Sequence, residues 1–251
     1  NVTDYGSYST VTAGFLIGGT RYNEGSHTAP APPYPSFTQF WSNMTSDDNT
    51  ASMDLTVSTT AGYSQVAQIV LCQAQVGTGI SLPGFTTVLD SATDNVNLAC
   101  AGQDIRIYIG LRVSGGAAIL FTATFSPANS VRAVIFSVFE YAQLGSSGNV
   151  WEKYQIAETV NMTQVIVPKS ILFVVSIGTN NQNVLNSPDG HLRSTRCTAS
   201  TEICAGTGDQ ENGDMTNSSS EIVSFHYVSS AWKGMFGVEF IYASPPEAFN
   251  L

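Results

Sequence analysis

Ile105-Arg106-Ile107-Tyr108-Ile109-Gly110-Leu111-Arg112-Val113 is the stretch that decides the fold. Aliphatic side chains take every odd position, and arginine, tyrosine or glycine every even one. A helix would scatter these aliphatics around its circumference, whereas a pleated strand collects them on one face. The run therefore predicts a strand with one face in a core and the other in water. Outward from it, β-rich runs recur at 52–58, 67–74, 117–125, 131–141, 164–167, 171–177, 221–228 and 236–242. They favour Val, Ile, Phe and Thr, the residues that fit a half-buried pleated surface. Leu82-Pro83-Gly84, Ser114-Gly115-Gly116, Gly145-Ser146-Ser147-Gly148 and Pro188-Asp189-Gly190 punctuate them as turns. No segment sustains a helical period. The expected fold class is all-β, an antiparallel β-sandwich.

The first residues are organised differently. Residues 1–26 hold one strand-forming piece, in which Val11, Ala13, Phe15 and Ile17 alternate before Gly18-Gly19. Residues 27–37 follow as a spacer, with Pro30, Pro32, Pro33 and Pro35 favouring stiff, extended geometry. The sandwich is expected over 38–246, with a tail at 247–251. An extended N-terminal arm on a stiff spacer has two uses. It folds back as an edge strand of its own domain, or it completes the sheet of a neighbouring copy by strand addition. The halves 50–142 and 150–243 are similar in scale but share no visible residue repeat, so they read as two halves of one sandwich. Residues 180–220 read as a long polar loop.

Composition restricts the function. Only 28 of 251 residues are charged, where an average soluble domain of this length would carry about 60. Ser and Thr number 54 and meet water in their place. Such a surface suits molecules that lie against one another without like-charge repulsion. The net charge of −10 argues against nucleic acid, whose binding rests on cations neutralising phosphates. No run reaches the roughly 18–20 apolar residues of a membrane helix, so no membrane insertion is expected. The chain starts at Asn1 without a leader-like segment, which reads as a mature chain after leader removal.

Chemistry-bearing residues are sparse. Cys72, Cys100, Cys197 and Cys204 match no zinc spacing and read as two disulfides of an oxidising compartment. The close pair Cys197/Cys204 suits a local loop bridge, and Cys72 and Cys100 end two apolar stretches. Asn1, Asn43, Asn161 and Asn217 head glycosylation sequons. His27, His191 and His226 are scattered, no G-x-S-x-G elbow or phosphate loop occurs, and Glu140, Glu152 and Glu239 form no recognisable carboxylate pair. A non-enzymatic protein is expected, with no required cofactor. The acids of 206–214, Asp209, Glu211 and Asp214, suggest calcium as the one candidate ion, because hard cations take oxygen ligands on loops. Trp41, Trp151 and Trp232 lie near strand boundaries, either as core anchors or as platforms for sugars.

One region has a family likeness. The strand at 67–74, then Ile80-Ser81-Leu82-Pro83-Gly84-Phe85, the strand at 105–113, Gly115-Gly116, Phe121-Thr122-Ala123-Thr124-Phe125-Ser126 and the strand at 131–141 follow one another in a characteristic order. This order resembles jelly-roll-like β-sandwich domains of secreted microbial surface or filament proteins and of phage tail or virion proteins. The likeness covers about 90 residues. Those domains often carry Gly-Asp and Gly-Trp where this chain has Gly62-Tyr63 and Gly84-Phe85. It implies a jelly-roll-like sandwich with a structural or adhesive role, and it transfers no active-site residue. The expected function is a structural subunit of an extracellular assembly, whether a pilus-like filament, a sheath or a virion appendage. Its partners would be copies of itself, joined by N-terminal strand donation, at a secreted, cell-surface or virion-surface location. The alternative is a carbohydrate-binding adhesin module that meets surface glycans, with or without calcium.

Overall fold

The computed structural model describes residues 14–17, 20–23, 35–46, 50–73, 77–93, 105–128, 131–179, 184–186, 190–198, 203–212 and 216–243, and these contain strands and turns but no helix. The chain divides into two compact units, Asn1–Pro32 and Pro33–Leu251. In the first, β1 (Gly14–Ile17) and β2 (Thr20–Asn23) form an antiparallel hairpin in which Phe15 opposes Tyr22 and Leu16 opposes Arg21.

The second unit begins with β3 (Ser36–Thr45), β4 (Ser52–Thr56), β5 (Ser64–Gln73), β6 (Gly79–Ser81), β7 (Thr86–Thr93), β8 (Ile105–Arg112), β9 (Leu120–Ser126) and β10 (Val131–Ala142). It continues with β11 (Leu144–Ile166), β12 (Ser170–Thr179), β13 (Val184–Asn186), β14 (His191–Cys197), β15 (Ile203–Glu211) and β16 (Ser219–Tyr242). The strands from β3 to β10 make a five-stranded sheet, β3-β10-β5-β8-β7, and a three-stranded one, β4-β9-β6. Numbered within this half, the sheets read 1-8-3-6-5 and 2-7-4. That is the jelly-roll winding, with its fifth strand hydrogen-bonded to the sixth.

The remaining strands repeat it. The order β11-β16-β12-β15-β14 is again 1-8-3-6-5, provided that β11 and β16 each count as two strands in series. Their outer portions, 159–166 and 219–227, pair with each other, and β13 pairs with the same stretch of β16, giving 2-7-4 once more. A register shift at Ala157/Thr159 marks where the long ribbon folds back. The pair of halves expected from sequence is present, and each half is also a jelly roll in its own right.

Three cores follow from this arrangement. The two five-stranded sheets face each other across Val66, Val70, Ile107, Ile109, Phe139, Phe173, Val175 and Phe236. Ile69, Leu71, Tyr108, Phe136 and Val138, on the opposite face of the first sheet, pack against Leu55, Phe121 and Phe125 of the small sheet. Leu172, Val174 and Met235 likewise pack against Val160, Met162, Val223, Phe225 and Tyr227 of the folded-back ribbon. The ribbon lies close because glycine faces it. A Cβ on Gly237 would stand 3.3 Å from Met162 Cγ, and one on Gly208 3.1 Å from Val223 Cγ1.

Covering both faces of the central sheets changes the strand signal. Ile105–Arg112 does alternate, but only its terminal arginines reach water, because Tyr108 and Gly110 are buried on the face expected to be wet. All of Ser64–Gln73 is buried. The expected loop at 180–220 is corrected: it contains β13, β14 and β15, and β15 is buried along most of its length. Its Gly, Ala, Thr and Cys residues carry little strand signal, yet they suit a sheet packed closely on both sides.

The halves also share a buried carboxylate. Glu140 accepts the Thr60 amide (2.7 Å), Gln39 Nε2 (2.9 Å) and Thr60 Oγ1 (3.0 Å). Glu239 accepts the Val167 amide (2.7 Å) and Asn149 Nδ2 (3.0 Å). Each sits in strand 8, binds an amide side chain of strand 1, and ties down the turn that leads into strand 3. Both strand 1–strand 8 ladders also shift register beside the glutamate. Neutral donors satisfy both groups, as a buried carboxylate requires.

Candidate functional site

The facing sheets run with opposed strand orders, so two mouths open at their rims. At one, β3 of the first half meets β14 of the second; at the other, β11 of the second half meets β7 of the first. Ladder registers match the two mouths position by position. Phe37, Phe40 and Met44 stand opposite Tyr141, Phe139 and Ile135. Their counterparts Ser147, Val150 and Tyr154 stand opposite Phe240, Val238 and Gly234. Arg193 and Val88 occupy the same extra position in strand 5, one residue beyond the partners of Gly208 and Gly110.

The β3/β14 mouth is sealed. The Arg193 guanidinium lies 4.5 Å from the Phe37 ring centre, and that of Arg196 lies 5.2 Å from Phe40. Arg193 also grips Asp209, with Nη2 at 2.8 Å from Oδ1 and Nε at 2.9 Å from Oδ2. The Tyr141 hydroxyl donates to Asp209 Oδ2 at 2.6 Å, and the Phe37 and Tyr141 rings meet edge to face at 5.7 Å. Burial pushes the Asp209 carboxyl above its ordinary value, against the opposing pull of the Arg193 and Tyr141 hydrogen bonds. Burial also raises Tyr141 well above the usual phenol range, and the charge of Asp209 adds to this. His191 Nε2 stands 3.5 Å from Glu211 Oε2 at the outer margin.

The β7/β11 mouth is open. A cleft of about 470 Å³ is lined by Gly84, Thr86, Leu111, Arg112 and Val113 on one side and by Gly145, Ser146 and Ser147 on the other. Ser147 takes the place of Phe37, Leu111 that of Asp209, and Val88 that of Arg193. Farther along β11, Val150, Tyr154 and Ile156 are 38%, 47% and 67% exposed.

The residues singled out from sequence disperse over the fold. Phe15 and Ile17 lie in β1, while Val11 and Ala13 fall outside the described residues. Cys197 and Cys204 form a disulfide, but across opposed positions of a β14/β15 hairpin and not within a loop. Cys72 is disulfide-bonded, and Cys100 lies outside the described residues. Of the sequons, Asn161 is exposed on the outer ribbon and Asn217 is exposed in a bend. Asn43 spends its amide on the Asp54 carbonyl at 2.8 Å, and Asn1 lies outside the described residues. Asp209 and Glu211 belong to a strand, not a calcium loop, and Arg193 and Tyr141 occupy both oxygens of Asp209. Asp214 lies outside the described residues, among which no three His, Cys, Asp or Glu side chains converge. Trp41 and Trp151 pack against the outer cores. Sequence reasoning missed Phe37, Tyr141, Arg193 and Ser147, because their meaning appears only when the halves are compared.

The chain matches no protein-family model and is similar to no curated protein sequence.

Proposed function

We infer that this chain is a structural, non-enzymatic subunit of an extracellular assembly, a filament, sheath or virion appendage, whose copies are joined through the N-terminal arm. The observation that carries this reading is the arm itself. It is a compact unit of its own whose described strands, β1 and β2, form a two-stranded antiparallel ribbon. A lone two-stranded ribbon is only marginally stable in water, so it gains from a sheet elsewhere to complete. The disulfides accord with an oxidising compartment, and the hydroxyl-rich, charge-poor surface accords with repeated contacts between copies. Sugar binding has less support, since Trp41 and Trp151 both serve cores. Electron microscopy of the full chain beside a chain lacking residues 1–20 tests the reading. Ordered assemblies from the full chain and folded monomers from the shortened one are expected; assemblies unchanged by the deletion would refute arm-mediated joining.

A further inference from the structure

We propose that the open mouth between β7 and β11 is the seat for the N-terminal arm of a second copy of this chain. This rests on the reading above and names the acceptor surface that the reading requires.

The sealed mouth shows what chemistry closes such an opening. It uses two aromatic rings from strand 1, Phe37 and Phe40, each with an arginine from strand 5 laid over it. The open mouth lacks these at the matched positions, and its one strand-1 ring, Tyr154, stands where Met44 is. Ser147 replaces the Phe37 ring, Val150 replaces Phe40, and Val88 and Ser91 stand where Arg193 and Arg196 would be. With Arg112 of β8 the one arginine among the lining residues, the shortfall at the matched positions is ring volume and, in strand 5, a guanidinium. The arm carries both: Phe15 opposite Tyr22 and Leu16 opposite Arg21, within four ladder pairs. Glu152 and Glu158, exposed along β11, offer that arginine opposite charge.

The rim also suits strand addition. Among the described residues, β7 pairs only with β8, and residues 144–157 of β11 pair only with β16, so each leaves one ladder edge unused. From Val150 to Ile156 the exposed apolar positions run about 20 Å along the strand, enough for a four-residue strand to lie against.

Sedimentation velocity of the full chain over a concentration series tests the seat. The comparison includes the wild type, Ser147→Phe, Ile156→Asp, Val165→Asp and the chain lacking residues 1–20. Ser147→Phe supplies the missing ring in place, and Ile156→Asp puts charge on a residue too exposed to support a core. Both should weaken self-association by at least about tenfold, as loss of a central contact does. Val165→Asp changes an equally exposed residue on the outer ribbon and should leave association as in the wild type. If the deletion abolishes association but the two mouth variants do not weaken it, the arm joins copies at another surface and the seat assignment is wrong. Equal weakening by Val165→Asp would overturn it too. Association that persists without the arm, or a wild type monomeric throughout, would overturn both this seat and the proposed function.

Discussion

At one mouth of the sandwich Phe37, Tyr141, Asp209 and Arg193 interlock, while at the other the matching positions hold Ser147, Phe240, Leu111 and Val88. The two share the register shift of strand 1 beside the buried glutamate and the extra residue in strand 5. At these matched positions the side chains differ. A duplicated fold can thus place equivalent openings at its two ends and spend one on self-closure while leaving the other for a partner. The sealed end should therefore contribute more to stability than the open end.

Arg193→Ala should give the largest effect. It leaves the buried Asp209 carboxylate without its cation, which typically costs about 3–5 kcal/mol. The matched change Val88→Ala, at a partly buried aliphatic of the open mouth, should cost about 1 kcal/mol. Chemical denaturation of the two variants measures the gap, and similar losses would erase the contrast between the ends. The equivalence of the halves is tested next. Glu140→Ala and Glu239→Ala each strip a carboxylate from several buried or half-buried donors and should each cost about 3 kcal/mol. A loss at only one of them would mean that the shared carboxylate is coincidence.

The smallest effect is a pH dependence at the sealed end. Burial holds the Asp209 pKa above its unfolded value, so the folded state binds this proton more tightly than the unfolded chain. The resulting stability is complete below the ordinary carboxylate range and is lost as pH rises through the raised value. The stability gap between wild type and Asp209→Asn should therefore narrow with rising pH, measured by thermal unfolding across that window. Leu111, at the matched position, has no proton to bind.

Strands with branched aliphatics were legible from sequence, as at 105–113, 131–141 and 171–177. Strands β7, β14 and β15 were not, because Thr, Ser, Gly and Ala reveal little until the neighbouring layers are known. The duplication was nearly silent. Of the matched positions, Glu140 and Glu239 keep their identity, and a glutamate inside an apolar strand was visible in both halves. Phe37 against Ser147 and Arg193 against Val88 share no chemistry, so no residue comparison could align them without the ladder. The arm was legible as an alternating piece before a proline run, but its hairpin with 20–23 was not, since Thr-Arg-Tyr-Asn lacks aliphatic alternation.

Cross-linking between differently labelled copies tests the central claim most directly. Chains carrying Phe15→Cys would be mixed under mild oxidation with isotope-labelled chains carrying Ile156→Cys, and the bridged peptides read by mass spectrometry. The expected result is a disulfide joining position 15 of one copy to position 156 of the other, reduced by Ser147→Phe in the acceptor. Absence of that bridge, or its formation only within single chains carrying both cysteines, would contradict arm exchange at the open mouth.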